Sequence, residues 1–298
     1  MRIVPTKSDP NEVEGAFRRL RDRLDAAGFR PSTSRGQNFL VDPNLLDAIA
    51  RDATIARGET VLEIGAGPGW LTARLGSLAS RVVSFEIEPK LAALAKESVA
   101  ALRNVEIVTA DALGGHSKHG LHPMIGELLR GGGCVVVANL PYSIAAPLLA
   151  NLFEHEPPPA RAIVLIQREV ADRLLAKEGT REYGPLTIAI RARATVARVR
   201  EVPAQVFRPR PRVASTVVRV AARADPLPKK ARALLPELIA AAFRERRKKL
   251  APQLAPLVGG SAQAERALAA LGHRADVRGE SLSVEDFRSL ANTISQSI

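Results

Sequence analysis

The strongest constraint on this chain is a rhythm. Between residues 60 and 166 short apolar runs recur at regular intervals: Thr60 to Ile64, Arg81 to Glu86, Val105 to Thr109, Val135 to Ala138 and Ala162 to Ile166. Stretches with helical spacing separate them, through Trp70, Leu71, Leu75 and Leu78, over Pro89 to Leu102, around Met124 to Leu129 and after Pro147. Runs this short, rich in β-branched residues and bounded by glycine or proline, read as buried strands. Strand and helix in alternation imply an α/β fold with a doubly wound, mostly parallel sheet. Such a sheet binds its ligands beyond the C-terminal ends of its strands.

The remainder of the chain changes character. Thr187 to Ile190 and Ser215 to Val220 read as β segments forming an antiparallel edge, and Arg223 to Lys230 as a linker. Helices are predicted over Ala233 to Leu250, over Ala262 to Leu271 with Gly272 as the stop, and from Ser283 with Asp286 in capping-box position. At the other end Val13, Phe17, Leu20 and Leu24 recur at helical spacing, which predicts an amphipathic helix packed on the body. The expected organisation is therefore an N-terminal helical arm over 1–30, an α/β domain over 31–222 and a small all-helical domain over 223–298.

The strand ends carry the chemistry. Gly65-Ala66-Gly67-Pro68-Gly69 follows the first strand, a place where a backbone without Cβ atoms lets a ligand approach closely. Its third glycine comes one position earlier than in the dinucleotide fingerprint, which disfavours a dinucleotide. Glu86 ends the next strand, about 20 residues on, where an acid binds ribose hydroxyls. Asp111 follows the third strand and is placed to accept from an adenine amino group. The fourth strand runs into Asn139-Leu140-Pro141-Tyr142. Alone, those four residues fit an ordinary strand-to-loop turn broken by Pro141 equally well. An amide and a backbone carbonyl beside an aromatic also suit an exocyclic amine on a flat ring: Asn139 and the Leu140 carbonyl accept its hydrogens while Tyr142 stacks on the base. With the glycine turn, Glu86 and Asp111 on the neighbouring strand ends, the set describes a pocket for S-adenosylmethionine opening onto a base pocket. Arg35 to Leu40 is a loop placed to close over the cofactor.

The net charge is +12, and its placement matters more than its size. From Arg191 to Leu250 there are 17 Lys or Arg against 4 Asp or Glu, and the rest of the chain is near neutral. One basic segment on a neutral body is the footprint of a polyanion binder. Within it, Val206 to Val213 forms a stiff, proline-spaced basic loop. Phe207 is expected to stack on the target base opposite Tyr142, with Arg208, Arg210 and Arg212 on phosphates. Arg246, Arg247 and Lys248 are expected to close a helix and to contact RNA as well.

Other classes fall away. No apolar run approaches the ~18 residues of a membrane span, and the Arg-rich N-terminus also carries Asp9, Glu12 and Glu14, unlike a transit peptide. The single cysteine, Cys134, lies in an apolar strand, so it is read as a core residue and the setting as cytoplasmic. His116, His119 and His122 are spaced like metal ligands, but no second cluster completes a site, so no metal is expected. His155 and His273 read as surface positions.

Taken together, Gln37-Asn38-Phe39-Leu40, Glu63 to Gly69, Asn139 to Tyr142, Glu182-Tyr183-Gly184, Phe207-x-Pro209-x-Pro211 and Phe243-Arg244-x-Arg246-Arg247-Lys248 resemble, in content and order, the rRNA adenine N6-dimethyltransferase family. The bacterial small-subunit branch (KsgA/RsmA) is the most similar, over about Ser34 to Ile294. The resemblance implies a Rossmann-like, S-adenosylmethionine-dependent methyltransferase domain with a helical RNA-binding domain. It implies N6,N6-dimethylation of two adjacent adenosines in the hairpin loop near the 3′ end of 16S rRNA, on the immature small subunit, by a monomer. It would place the cofactor on Asn38, Leu40, Gly65, Glu86, Asp111 and Asn139, and the adenine on Asn139, Leu140, Tyr142 and Phe207. The chain departs from the family at Thr33-Ser34-Arg35, at Ala214 and in the length of its arm. Two rival readings are a large-subunit 23S rRNA dimethyltransferase of the macrolide-resistance type and a non-catalytic RNA-binding assembly factor.

Overall fold

The structure is a computed structural model and describes residues 10–32, 36–115 and 120–297. The elements run α1 (Pro10–Ala26), β1 (Phe39–Leu40), α2 (Pro43–Asp52), β2 (Thr60–Ile64), α3 (Trp70–Gly76), β3 (Arg81–Glu86), α4 (Pro89–Ser98), β4 (Val105–Thr109), α5 (Pro123–Arg130), β5 (Cys134–Asn139), α6 (Ala145–Glu154) and β6 (Arg161–Gln167). They continue through α7 (Arg168–Leu175), α8 (Pro185–Arg191), β7 (Ala194–Val202), β8 (Phe207–Arg208), β9 (Ser215–Ala222), α9 (Lys229–Arg244), α10 (Ala251–Val258), α11 (Ser261–Ala270) and α12 (Val284–Ser297).

Seven strands form one sheet in the order β4-β3-β2-β5-β6-β9-β7. The five predicted strands, β2 to β6, are parallel where they pair, and β9 joins β6 antiparallel, with Leu165 opposite Val217. The order reverses between β2 and β5, so a crevice opens there beyond the strand ends. Apart from Thr60, Glu63 and Asn139 both strands are apolar, and their central residues are buried on both faces, as a sheet covered by helices on each side requires. Cys134 is 1% exposed, and burial pushes its thiol up to about 11. It is an unreactive core group.

By internal packing the chain divides into two units, one ending at Ala171 and resuming over Ala197–Ala222, the other comprising Asp172–Val196 and Arg223 onward. One division falls at 222/223, and residues 172–196, expected in the α/β domain, group with the helical unit instead. There Tyr183 and Ile188 are buried with Leu238, Phe287 and Leu290, and the Tyr183 hydroxyl donates to the Leu282 carbonyl at 2.7 Å. Thr187 to Ile190 is helix rather than strand. Pro185 sits in the first turn of α8, and the Thr187 hydroxyl accepts from the Gly184 N–H, so the local chemistry is that of a helix start. The strand in this region is β7, which the sequence reading left out. The helix predicted over Ala233 to Leu250 also stops early: α9 ends at Arg244, a turn follows, and α10 begins at Ala251. The capping box at the last helix is present, with Asp286 N–H donating to Ser283 Oγ at 3.1 Å and Ser283 N–H to Asp286 Oδ2 at 2.8 Å.

In the first unit α1 lays Leu20 and Leu24, with Val13 and Phe17, against Phe39, Val41, Leu91 and Leu94. No helix among the described residues is long and apolar enough to cross a membrane.

Candidate active site

Each wall of the site is the end of one strand. β2 delivers Gly65 to Gly69, whose last glycine caps α3 at φ +82°. A Cβ on Gly69 would lie 2.8 Å from Ala95 Cα, so only glycine lets the turn sit flush on α4. β3 delivers Glu86. Its Oε2 accepts from the Gly67 N–H at 2.8 Å and its Oε1 from the Glu88 N–H at 3.0 Å. The carboxylate keeps acceptor capacity of the kind a ribose hydroxyl uses. Burial raises its pKa. Beyond β4 stands Asp111, whose Oδ1 accepts from the Leu113 N–H at 2.9 Å. β5 ends at Asn139, whose Nδ2 donates to the Asn38 carbonyl at 3.2 Å, leaving Oδ1 as the free end of the amide.

The loop before β1 closes the ring. Gly36, at φ +69°, lies so near Tyr142 that a Cβ would approach its backbone nitrogen to 2.9 Å, and Phe39 packs its ring against Gly67. A cavity of about 550 Å³ results. Asn38, Gly65, Glu86, Asp111, Asn139, Leu140 and Tyr142, separated by up to 104 residues in sequence, all line it. Tyr142 is held by its hydroxyl, 2.7 Å from Ser215 Oγ, and burial raises its pKa, so it stays a neutral ring. Behind the glycine turn Glu63 is fully buried. It accepts from Thr72 Oγ1 at 2.5 Å and Ser84 Oγ at 2.6 Å, and burial pushes it up to about 8. It is a protonated tie between β2, β3 and α3.

Two expected site residues are not in the cavity. Phe207 is 0% exposed, paired with Leu40 in the small β1–β8 ladder and packed among Val202, Val206 and Val217. It is a core residue here and offers no face to a base. Leu40 is likewise behind the wall, and the residues its loop gives to the cavity are Gly36 to Phe39. The sequence reading missed Ile87, which lines the cavity at 64% exposure and adds an apolar surface to it. An apolar residue directly after the acid at the β3 end was the available signal.

The basic set divides. Arg208 donates to the Gln205 and Phe207 carbonyls and lies 4.9 Å over the Phe17 ring, so it fastens α1. Arg246 donates to Glu280 and to the Thr180 and Arg181 carbonyls, tying its turn inside the helical unit. Both were expected on RNA, and both are engaged internally instead. Lys248 pairs with Glu245 in the turn after α9, so none of the three closes a helix as expected. Arg210, Arg212 and Arg247 are exposed. Among the described residues no group of three or more His, Cys, Asp or Glu is arranged to hold a metal. His116 and His119 lie outside the described residues. His122 packs edge-on against Phe85 and caps α5.

This ring of strand ends fits S-adenosylmethionine by its own chemistry: paired carboxylates on adjacent strands, an exposed apolar wall at Ile87, and Asn38 Oδ1 buried without a partner. A family model described as ribosomal RNA adenine dimethylase matches residues 28–296. The chain belongs to that family. A ribosomal RNA small subunit methyltransferase A of Bacillus mycoides is 38% identical over 93% of this chain and 95% of the relative, and that of Bacillus anthracis is equally similar. Among solved structures, a dimethyladenosine transferase from Plasmodium falciparum is similar with a TM-score of 0.66 and 26% identity, covering 84% of this chain and 94% of that one. The 23S rRNA methyltransferase ErmE is similar with a TM-score of 0.63 and 25% identity, covering 85% and 98%. Family membership makes the chain a methyltransferase with a Rossmann-like fold, and the cavity at the switch between β2 and β5 is where that fold binds its ligands.

Proposed function

We propose that this enzyme dimethylates N6 of two adjacent adenosines in the 3′-terminal hairpin loop of 16S rRNA, acting on the immature small subunit as a cytoplasmic monomer. The observation that carries the reading is the Asn139 amide, whose Nδ2 is engaged by the Asn38 carbonyl, which leaves Oδ1 to accept from an amine in the cavity that Leu140 also lines. The relatives at 38% identity, named for the small subunit, support it over a large-subunit substrate.

The residues divide the work. S-adenosylmethionine supplies an electrophilic methyl group. Glu86 would hold its ribose hydroxyls, Asp111 its adenine amino group and Asn38 its polar tail, with Ile87 against the ring. The target adenosine is flipped out of its loop, as chemistry on a base requires. Tyr142 stacks on the base, and Asn139 Oδ1 with the Leu140 carbonyl accepts the two N6 hydrogens. That pairing draws the nitrogen toward tetrahedral geometry and returns its lone pair from the ring. Positioning and hydrogen bonding carry the acceleration. No strong base is needed, because the alkylated nitrogen is itself acidic. Exposed Arg210, Arg212 and Arg247 are placed on phosphates.

The test is methyl incorporation into immature small-subunit particles set beside naked 23S rRNA, with mass mapping of the products. Two dimethylated adenosines near the 16S 3′ end are expected. Incorporation into 23S rRNA alone would overturn the assignment.

A further inference from the structure

The N-terminal helix has no part in the reading above, yet one of its side chains leads to the glycine turn. Arg23 of α1 reaches the end of α4, where Nη2 donates to the Leu94 carbonyl at 2.9 Å and Nη1 to Ser98 Oγ at 2.9 Å. Ser98 Oγ lies 2.7 Å from the Pro68 carbonyl in the middle of Gly65 to Gly69, and 3.0 Å from the Leu94 carbonyl. The hydroxyl has one proton. The Pro68 contact is the shorter, so that proton goes to Pro68. Accepting from a guanidinium polarises the hydroxyl and strengthens the bond it donates. The turn has little slack, since Gly69 sits against Ala95 with no room for a Cβ. The apolar side of α1 reaches the same place by a second route: Leu20 and Leu24 share a core with Phe39, whose ring lies on Gly67.

We infer that Arg23 is a positioning residue for the cofactor: through Ser98 it fixes the Pro68 carbonyl and so the shape of the glycine turn, making the N-terminal helix part of the methyl-donor site. The inference rests on the reading that this cavity takes S-adenosylmethionine. If the hydrogen bonds act in series, removing either member releases the turn and removing both does no more.

The experiment is calorimetric titration with S-adenosylhomocysteine of the full chain and of Arg23→Ala, Ser98→Ala and the double variant, with Asn44→Ala as control. Asn44 Nδ2 donates to Glu12 at 3.2 Å, another tie between α1 and the body that does not lead to the turn. Each single variant is expected to weaken binding about three- to ten-fold, with the double no weaker than the poorer single. Asn44→Ala should bind as the parent does. Parental affinity in either single variant, multiplicative losses in the double, or an equal loss in Asn44→Ala would overturn the relay. Failure of the parent chain to bind would instead discard the cofactor reading. In that event amide exchange over Gly65 to Gly69 decides the relay: it should quicken in both singles, and an unchanged rate overturns it.

Discussion

With Nδ2 engaged by the Asn38 carbonyl, Asn139 can serve the incoming amine only through Oδ1. Asn139→Ala is therefore expected to cut methyl transfer by at least about 100-fold while RNA affinity in a filter or gel assay stays near the parental value. A second residue-scale expectation concerns Glu63, which titrates at about 8 in the folded chain against an ordinary value of 4.5. The folded state holds a proton that the unfolded chain has released, so stability should fall as pH rises from about 5 to 8 and then level. Glu63→Gln keeps the shape without the titration, and its melting temperature should lose that descent. That Asn139, Glu86 and Asp111 would line one cavity was legible in the sequence because strand ends in a parallel sheet converge. Phe207 and Leu40 were misread because a motif gives neighbours in sequence, whereas burial follows from the pairing of β1 with β8, which is set by tertiary contacts.

At the scale of elements, local chemistry was a good guide where it was strong and a poor one where composition was ambiguous. Thr60 to Ile64 and its four successors alternate cleanly with helices, and all five are strands. Thr187 to Ile190 has the β-branched content of a strand, but Pro185 and the Thr187 cap start a helix whose apolar side is then buried. α9 was predicted too long because Arg244 to Lys249 are good helix formers, and what ends it is tertiary. Gln253 Oε1 accepts from the Glu245 N–H at 3.0 Å, and Arg246 is drawn to Glu280. Near that turn Gly279 crosses α9 so closely that a Cβ would sit 2.4 Å from the Ala242 carbonyl. Gly279→Ala must push the segment off the helix and should cost about 1–3 kcal/mol of stability, measured by urea denaturation.

For the whole molecule, the charge asymmetry read from the sequence leaves fewer arginines available to a polyanion than the arginine count suggests, because Arg208 and Arg246 are bonded internally. Alanine at both Arg210 and Arg212 should lower the salt dependence of RNA binding, reducing the slope of log affinity against log salt by about 1–2. Arg208→Ala should mainly loosen α1 and lower the melting temperature. Composition and rhythm announced an α/β body followed by helices, but the path between them was hidden, since nothing in residues 172–196 marks them as belonging with helices that come later. That path has a consequence for synthesis. Tyr183 and Ile188 leave the ribosome before the helices that bury them, so they wait uncovered while β7, β8 and β9 are made. A chain stopped after Ala222 would keep that apolar segment permanently without its partners and should aggregate rather than yield a soluble catalytic half.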